Sequence, residues 1–359
     1  MGGRKPSLKE LAKTCEAAGF GDVAWSDVLQ KIALAVDGRR GILLGEHDVG
    51  RYTYSCIFNH DPTVAAAYNR HYNRLDPRAA PSLEVGVGET RLGQDLMPNA
   101  AISHTEYFDA ISRAGNISDS VFGVISDDAE LGRRTISLQR SFEQEFFGEE
   151  EAALLRALLP RLETALRNSL RVARVMAEER GDGLVLYALL DTELNLRLLP
   201  GSDAHGDFAL GPVEIAGDRL GCNNERLRAA ILSAVERGMR GESASIDIDT
   251  AALRFDPVPE ALQWLCDGRG EVFLTIARTQ LAQDANLVVF AEGNNLTPRE
   301  RSVLEALVMH HAIPDAAEAL GISTETARWH AKNICTKSGH RGVSRLVEAA
   351  RRGDLSNLA

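Results

Sequence analysis

The stretch that most constrains this chain lies near its C-terminus, Leu296–Leu346, reading LTPRERSVLEALVMHHAIPDAAEALGISTETARWHAKNICTKSGHRGVSRL. Three short helical patterns lie end to end, separated by His310-His311 and by Gly321-Ile322-Ser323. Thr297 and Pro298 predict the start of the first, a hydroxyl N-cap followed by proline at the first helical position. Val303, Leu304, Leu307 and Val308 give it an apolar face. Ala316, Ala317 and Leu320 supply the buried side of the second. Ser323 caps the third, with Glu325 in the first turn, where the helix dipole favours an acid.

The third pattern has two unlike faces. Ala327, Ala331, Ile334 and Cys335 fall on one side at helical spacing; Glu325, Arg328, Trp329, Lys332 and Thr336 fall on the other. A short helix with a small apolar inner face and an Arg/Trp/Lys outer face suits a major groove. The tight Gly-Ile-Ser turn holds it against the preceding helix, which is a helix-turn-helix layout.

These residues resemble the LuxR-type helix-turn-helix. Leu296-Thr297-Pro298-Arg299-Glu300 matches that family's opening, with Val303-Leu304 in register, and Leu320-Gly321-Ile322-Ser323 matches its turn. Thr326, Arg328, His330, Asn333-Ile334, Lys337, Gly339 and Leu346-Val347 match its recognition and closing helices. The resemblance covers roughly the last fifth of the chain and implies a four-helix DNA-binding domain. In it Arg328, Trp329 and Lys332 face base edges, Lys337 and Arg341 serve positioning, and Thr324 and Glu325 complete the DNA-binding set at the helix start. The chain departs from the family at His310, where glycine is usual, and at Ala312 and Asp315, where a hydroxyl cap and a glutamate are usual. The lost cap costs about 1 kcal/mol, partly offset by Pro314 in a first helical turn. Ala316 and Ala327 replace larger aliphatic residues, so a less tightly packed domain is expected.

At 359 residues the chain has room for two to three domains. The expected fold class is multidomain α+β: GAF-like and PAS-like α/β sensory regions followed by an all-α, tetrahelical helix-turn-helix domain. The boundaries are 1–148 for the GAF-like region, 149–180 for a connecting and dimerisation helix, 181–292 for the PAS-like region and 293–359 for the DNA-binding domain. No apolar run approaches the roughly 18 residues of a membrane span, and the N-terminus lacks the apolar core of a secretion signal. A soluble, cytoplasmic protein with no membrane partner is expected. The 5 cysteines, at 15, 56, 222, 266 and 335, form no CxxC pair and have no histidine at zinc spacing. They read as reduced thiols, and neither a metal nor a cofactor is expected.

Net charge is −11, but it is uneven: the part from Asn294 onward carries about +2, leaving about −13 on the rest. Attraction to phosphates must come from one local face. A single domain of so small a charge binds DNA weakly, so a homodimer on two half-sites of double-stranded promoter DNA is expected.

Upstream, a polar helix closes at Gly19-Phe20-Gly21, and Ser26 is placed to cap an amphipathic helix carrying Val28, Leu29, Ile32 and Val36. Strand patterns occur at Gly41–Leu44, Tyr52–Phe58, Val121–Ser126 and Thr135–Gln139. Asp61-Pro62 opens a helix expected to run through Tyr72, and Ser103–Arg113 reads as another helix. Helices on an antiparallel sheet are what this order supports. The run Tyr68–Pro77 resembles the "Tyr…Leu-Asp-Pro" segment of GAF-like regions in LuxR-type regulators, and Phe146–Leu166 resembles their closing helix. The Trp and Tyr that autoinducer receptors keep upstream of the Asp-Pro fall here on Thr63 and Ala67, which speaks against lactone sensing. After Gly181-Asp-Gly183 come a hairpin pattern (Gly183–Leu199), a helix (Asn223–Arg237) and strand patterns at Ser243–Asp249, Glu271–Ala277 and Asn286–Phe290. That order resembles a PAS-like domain, with Ala291–Asn295 as a linker.

Tyr52, Tyr54, Phe58, Tyr68 and Tyr72 gather near Asp76 in a chain only 6% aromatic. They read either as a core with hydroxyls at its rim or as a pocket for a small-molecule effector, with Asp76 as polar anchor or as a helix-ending turn. His71 and His104 read as surface residues. Along Glu149–Glu179 the stripe Leu155, Leu158, Leu159, Leu162, Leu166, Leu170, Ala173 and Met176 suits burial on its own domain, a dimer seam, or one part of each. No Gly-rich phosphate loop, G-x-S-x-G or metal-spaced histidines mark an enzyme. No strand-end acidic cluster with a downstream lysine marks a phosphorylated receiver. The expected function is a LuxR-type transcriptional regulator sensing an unknown signal. The alternative is a protein-binding co-regulator whose helix-turn-helix has weak or no DNA affinity.

Overall fold

A computed structural model describes residues 4–48, 51–179, 184–202, 208–210, 212–248, 251–266, 270–278 and 280–354. Helix α1 (Leu8–Phe20) begins in a capping box between Ser7 and Glu10 and ends at Gly21, whose φ of 83° closes the helix in the left-handed region. Helix α2 (Trp25–Ala35) starts one residue before Ser26, so the expected cap is not used: Ala24 is the N-cap and provides no side-chain bond. The tertiary structure compensates by burying Trp25 in the first turn. Strands β1 (Arg40–Asp48) and β2 (Arg51–Phe58) follow, then α3 (Pro62–Arg70), capped by Asp61. Single-turn helices α4 (Ala79–Ser82), α5 (Gly93–Leu96) and α6 (Asn99–Ile102) flank strand β3 (Thr90–Leu92). The expected Ser103–Arg113 helix is present in shorter form, as a wide-turned π-helix at Phe108–Arg113. Strands β4 (Asp119–Asp128) and β5 (Gly132–Arg140) complete an antiparallel sheet of order β2-β1-β5-β4-β3.

Helix α7 (Glu149–Glu178) crosses this sheet. Its stripe is spent inside the chain. Leu155, Leu158, Leu159, Leu162, Leu166 and Ala173 are buried against α1, α2 and the sheet residues Leu43, Val121, Ile136 and Leu138. The approach of α1 is close enough that a Cβ on Gly19 would lie 2.7 Å from the Ala165 carbonyl oxygen. Of the two uses open to the stripe, burial on its own chain holds at Leu159 and Leu166, which are core. An amphipathic pattern reports that a face is buried and is silent on what buries it.

The second sheet-bearing region holds β6 (Leu184–Asp191), β7 (Leu196–Leu198), β8 (Phe208–Leu210), β9 (Val213–Ala216), β10 (Arg219–Cys222), α8 (Glu225–Met239), β11 (Ala244–Ile248), β12 (Ala251–Pro257) and β13 (Glu271–Arg278). Its main sheet runs β11-β12-β13-β6-β7; β8, β9 and β10 form a small separate sheet. Read from its first strand, the main sheet repeats the order of the first: the opening hairpin at one edge, the last strand beside the first. Tyr187, Leu189 and Phe273 join the core around α7, and Leu186, Leu190, Phe255 and Leu274 form a second core with α8 and the small sheet. The 3-10 segment Glu260–Leu265 ties the regions together. Trp264 Nε1 donates to Ser169 Oγ at 2.8 Å, Trp25 Nε1 donates to the Ala261 carbonyl at 3.0 Å, and the two indoles meet edge to face at 6.4 Å.

Asn286–Phe290, expected as a strand, lies inside helix α9 (Gln280–Gly293), which also absorbs most of the expected linker. Short apolar runs do not distinguish the two periods. Helices α10 (Pro298–His310), α11 (Ile313–Ala319), α12 (Thr324–Ser338) and α13 (Val343–Arg352) complete the chain. They close on a core of Leu304, Leu307, Ala331, Ile334 and Leu346, with Phe290 contributed by α9. Among the described residues no helix is long and apolar enough to cross a membrane.

Candidate functional site

Two places in the molecule gather the candidate residues. The first is the exposed side of α12. Thr297 and Glu300 form a capping box that starts α10. His311 ends it in the left-handed region (φ 59°), one residue after the His310 position where glycine was expected. Ala312 offers α11 no side-chain cap, as its sequence implied. Gly321 (φ 63°) makes the turn, and Ser323 Oγ accepts from Thr326 N–H at 3.1 Å to start α12. The helix buries Ala327, Ala331 and Ile334. Glu325, Arg328, Trp329 and Lys332 stand exposed on the opposite side, Trp329 at 61%. Thr324 is half-buried at the helix start, and Arg341 is exposed in the turn before α13. Four side chains of the same face thus reach solvent from a helix whose other face is fixed.

Lys337 is held differently. Its ammonium lies 2.6 Å from Glu300 Oε2 and donates to the Asn295 carbonyl at 3.1 Å. Burial alone would raise the Glu300 pKa, but Lys337 and the Thr297 N–H and hydroxyl outweigh it, holding the carboxyl below its usual range. Lys337 thereby clamps the far end of α12 to the start of α10.

The second place is a cavity of about 80 Å³ on the side of the first sheet away from α7. Tyr52, Tyr54, Tyr68 and Asp76 line it, as their clustering suggested. Phe58 does not. Leu43 pairs with Cys56 but Leu44 pairs with Tyr54, so Ser55 is an extra residue in β2. This bulge reverses the alternation: Tyr52 and Tyr54 face the cavity, whereas Cys56 and Phe58 face the core on the other side of the sheet, where α2 packs. Tyr72 is also absent from the lining. Helix α3 breaks at His71 (φ −139°), and the Tyr72 hydroxyl turns outward to donate to Glu106 at 2.8 Å.

The cavity walls include residues that clustering in sequence did not expose: Tyr107, Arg78, Asp119, Ser137 and Gln139. Only the period-two polar pattern of β5 could have pointed to the last two. Tyr68 donates to Asp76 Oδ2 at 3.0 Å, and the Arg78 N–H donates to Asp76 Oδ1 at 2.9 Å. Burial first, then the Asp76 charge, pushes the Tyr54, Tyr68 and Tyr107 hydroxyls upward, so all three stay protonated donors. Burial likewise raises Asp119, against the bonds it accepts from Phe147 N–H and Gln94. Tyr54 stacks on Tyr68 with centroids 4.0 Å apart. Among the described residues no His/Cys/Asp/Glu group could hold a metal ion.

Comparison with known proteins bears on the first place. Residues 294–350 match the family described as bacterial regulatory proteins, luxR family, and this segment is a luxR-family helix-turn-helix domain. No protein of curated function matches the chain. Among solved structures, Escherichia coli SdiA shows 12% identity and a TM-score of 0.29, over 98% of this chain and 93% of that one. SdiA in complex with octanoyl-rac-glycerol gives 11% and 0.29, over 98% and 90%. A phage VqmA–DPO complex gives 16% and 0.19, over 52% and 91%. Scores this low describe poor whole-chain superpositions, and the assignment of residues 294–350 rests on the family match.

Proposed function

We propose that the chain is a LuxR-type transcriptional regulator that binds double-stranded promoter DNA as a homodimer and takes a small-molecule effector in its N-terminal cavity. The observation that carries the DNA reading is the division of α12 into a packed face and an exposed Arg328/Trp329/Lys332 face, within a segment that matches the luxR family. Arg328 and Lys332, one helical turn apart, read base edges, and Trp329 supplies apolar contact of the kind a thymine methyl accepts. Thr324, Glu325 and Arg341 flank that face. Lys337 acts through the clamp on Glu300 as much as through any phosphate.

The repeated strand order of the two main sheets supports reading residues 1–148 as GAF-like and 181–292 as PAS-like, joined by 149–180. The test is a selection of genomic DNA fragments by the purified full-length chain, with shift assays on the recovered sites. Recovery of one symmetric sequence bound by two subunits is the expected result.

A second reading, a protein-binding co-regulator, draws on the uncapped α11 and the strongly acidic body. It predicts no sequence enrichment in that selection. A folded protein that recovers no sequence above background favours it.

A further inference from the structure

A second, larger hollow opens where the two sheet-bearing regions meet. Its volume is about 1060 Å³, at the upper end of the roughly 300–1,000 Å³ that ligand sites span. The free edge of β2, the outermost strand of the first sheet, runs along it: Tyr54, Ser55, Cys56 and Ile57 all line the cleft. Helix α3 packs on one face of β2 through Val64, Ala65 and Tyr68. The Glu260–Leu265 segment packs on the other through Leu262 and Leu265. Each region thus supplies one wall.

The backbone of this edge is satisfied at one place. Asn69 accepts from the Tyr54 N–H at 2.8 Å and donates to the Tyr54 carbonyl at 3.0 Å, standing in for one residue of a further strand. Among the described residues no backbone group outside β1 pairs with Ser55, Cys56 or Ile57. An open edge of this kind is a template for an extended segment. The walls differ in charge. Arg70 and Arg74 come from the first region, Glu193 and Glu260 from the second, and all four line the cleft and are exposed. Asp191 lines it too but is taken up by Asn195 and the Glu193 N–H. Arg70 reaches only the Ala66 carbonyl; among the described residues Arg74, Glu193 and Glu260 have no hydrogen-bond or ion-pair partner for their side chains. Elsewhere on the surface such groups pair, as Arg113 does with Asp109 and Arg301 with Glu305.

We infer that this cleft binds a short peptide with free ends: its backbone pairs with β2 beyond Tyr54, its carboxylate meets Arg70 and Arg74, and its ammonium meets Glu193 and Glu260. A lone anion or a long apolar chain satisfies at most one of these demands. The site depends neither on DNA binding by α12 nor on an effector in the smaller cavity.

Isothermal titration of the full chain with trialanine, its N-acetyl form, its C-terminal amide and Ala-Pro-Ala tests each demand. Trialanine is expected to bind at millimolar or lower concentration, and each blocked form about three- to fivefold more weakly, the scale of one exposed ion pair. Ala-Pro-Ala, which lacks the central N–H, is expected to bind more weakly as well. Glu193→Gln with Glu260→Gln should erase the difference between trialanine and its N-acetyl form while keeping the penalty for the amide. Arg70→Gln with Arg74→Gln should do the reverse. Surface substitutions of this kind leave the fold in place, which circular dichroism checks. No binding of trialanine, equal affinity for all four peptides, or variants that fail to separate the two preferences overturns the site.

Discussion

The two main sheets share one strand order and differ in the face they turn away from α7. In the first, the middle strand β5 presents Ser137 and Gln139 to a void. In the second, β13 occupies the equivalent place and presents Val272, Leu274 and Ile276, all fully buried against α8 and the small sheet. One face is filled by the chain itself; the other borders a hollow of mixed polar and apolar lining. The same topology therefore serves packing in one region and leaves a cavity in the other. What separates them is the chemistry at alternate positions of one strand, not the arrangement of strands.

The largest effect is expected where the two regions share a helix. Leu159→Asp with Leu166→Asp puts two carboxylates into the common core around α7, a loss above about 5 kcal/mol. No folded protein should be recoverable by circular dichroism. A folded double variant that is monomeric where the parent is dimeric would restore the dimer seam and separate the regions.

Trp264→Ala removes a fully buried indole and the hydrogen bond to Ser169, with an expected cost of about 3–5 kcal/mol. Calorimetry should show both sheet-bearing regions unfolding in one transition at lower temperature. Two resolved transitions in the parent would mean that the sheets are independent and the shared core is weak.

The comparison is sharpest in a matched pair. Leu274→Ala on β13 should cost about 2–5 kcal/mol in chemical denaturation, since it opens a cavity in a filled face. Gln139→Leu on β5 should cost less than about 1 kcal/mol or stabilise slightly, because it replaces an amide whose buried Oε1 has no partner among the described residues by an apolar group of similar size. Equal costs would show that the β5 face is ordinary packing after all.

The smallest effect sets the helical domain apart from both sheets, since there an ion pair between a half-exposed lysine and a buried glutamate does the clamping. Lys337→Met should cost about 1 kcal/mol, discounted for the exposure of the lysine. Because Glu300 has its pKa lowered in the folded domain, its contribution is present above the ordinary carboxylate value of 4.5 and is lost as pH falls through the folded value. Acid titration should thus destabilise the parent below about pH 4.5, and Lys337→Met should flatten that dependence. Arg328→Ala provides the contrast: unchanged stability, but a loss of about 1–3 kcal/mol in binding to a mapped promoter.

Much of the C-terminal domain was legible in advance because its signals are local. Thr297 and Glu300, Ser323 and Thr326, and Gly321 act within one turn of the residues they organise, so reading along the chain finds them. The cavity was half legible. Tyr52, Tyr54, Tyr68 and Asp76 are near one another in sequence, but Tyr107, Asp119 and Gln139 come from separate segments that meet only when the sheet closes. Alternation alone placed Phe58 beside Tyr54, and only the pairing of β2 with β1 revealed the bulge at Ser55 that sends it to the other face.

The sequence by itself determined where α10, α11 and α12 begin and end, which faces are apolar, and that α12 carries Arg328, Trp329 and Lys332 opposite Ala327 and Ala331. These follow from short-range backbone hydrogen bonding and from the fixed period of a helix. The tertiary structure alone decided what each apolar face meets: α1 and two sheets for α7, a second indole for Trp25, a hollow for Tyr54. Burial is a property of pairs of surfaces, and the partner of a surface can be drawn from any distance along the chain.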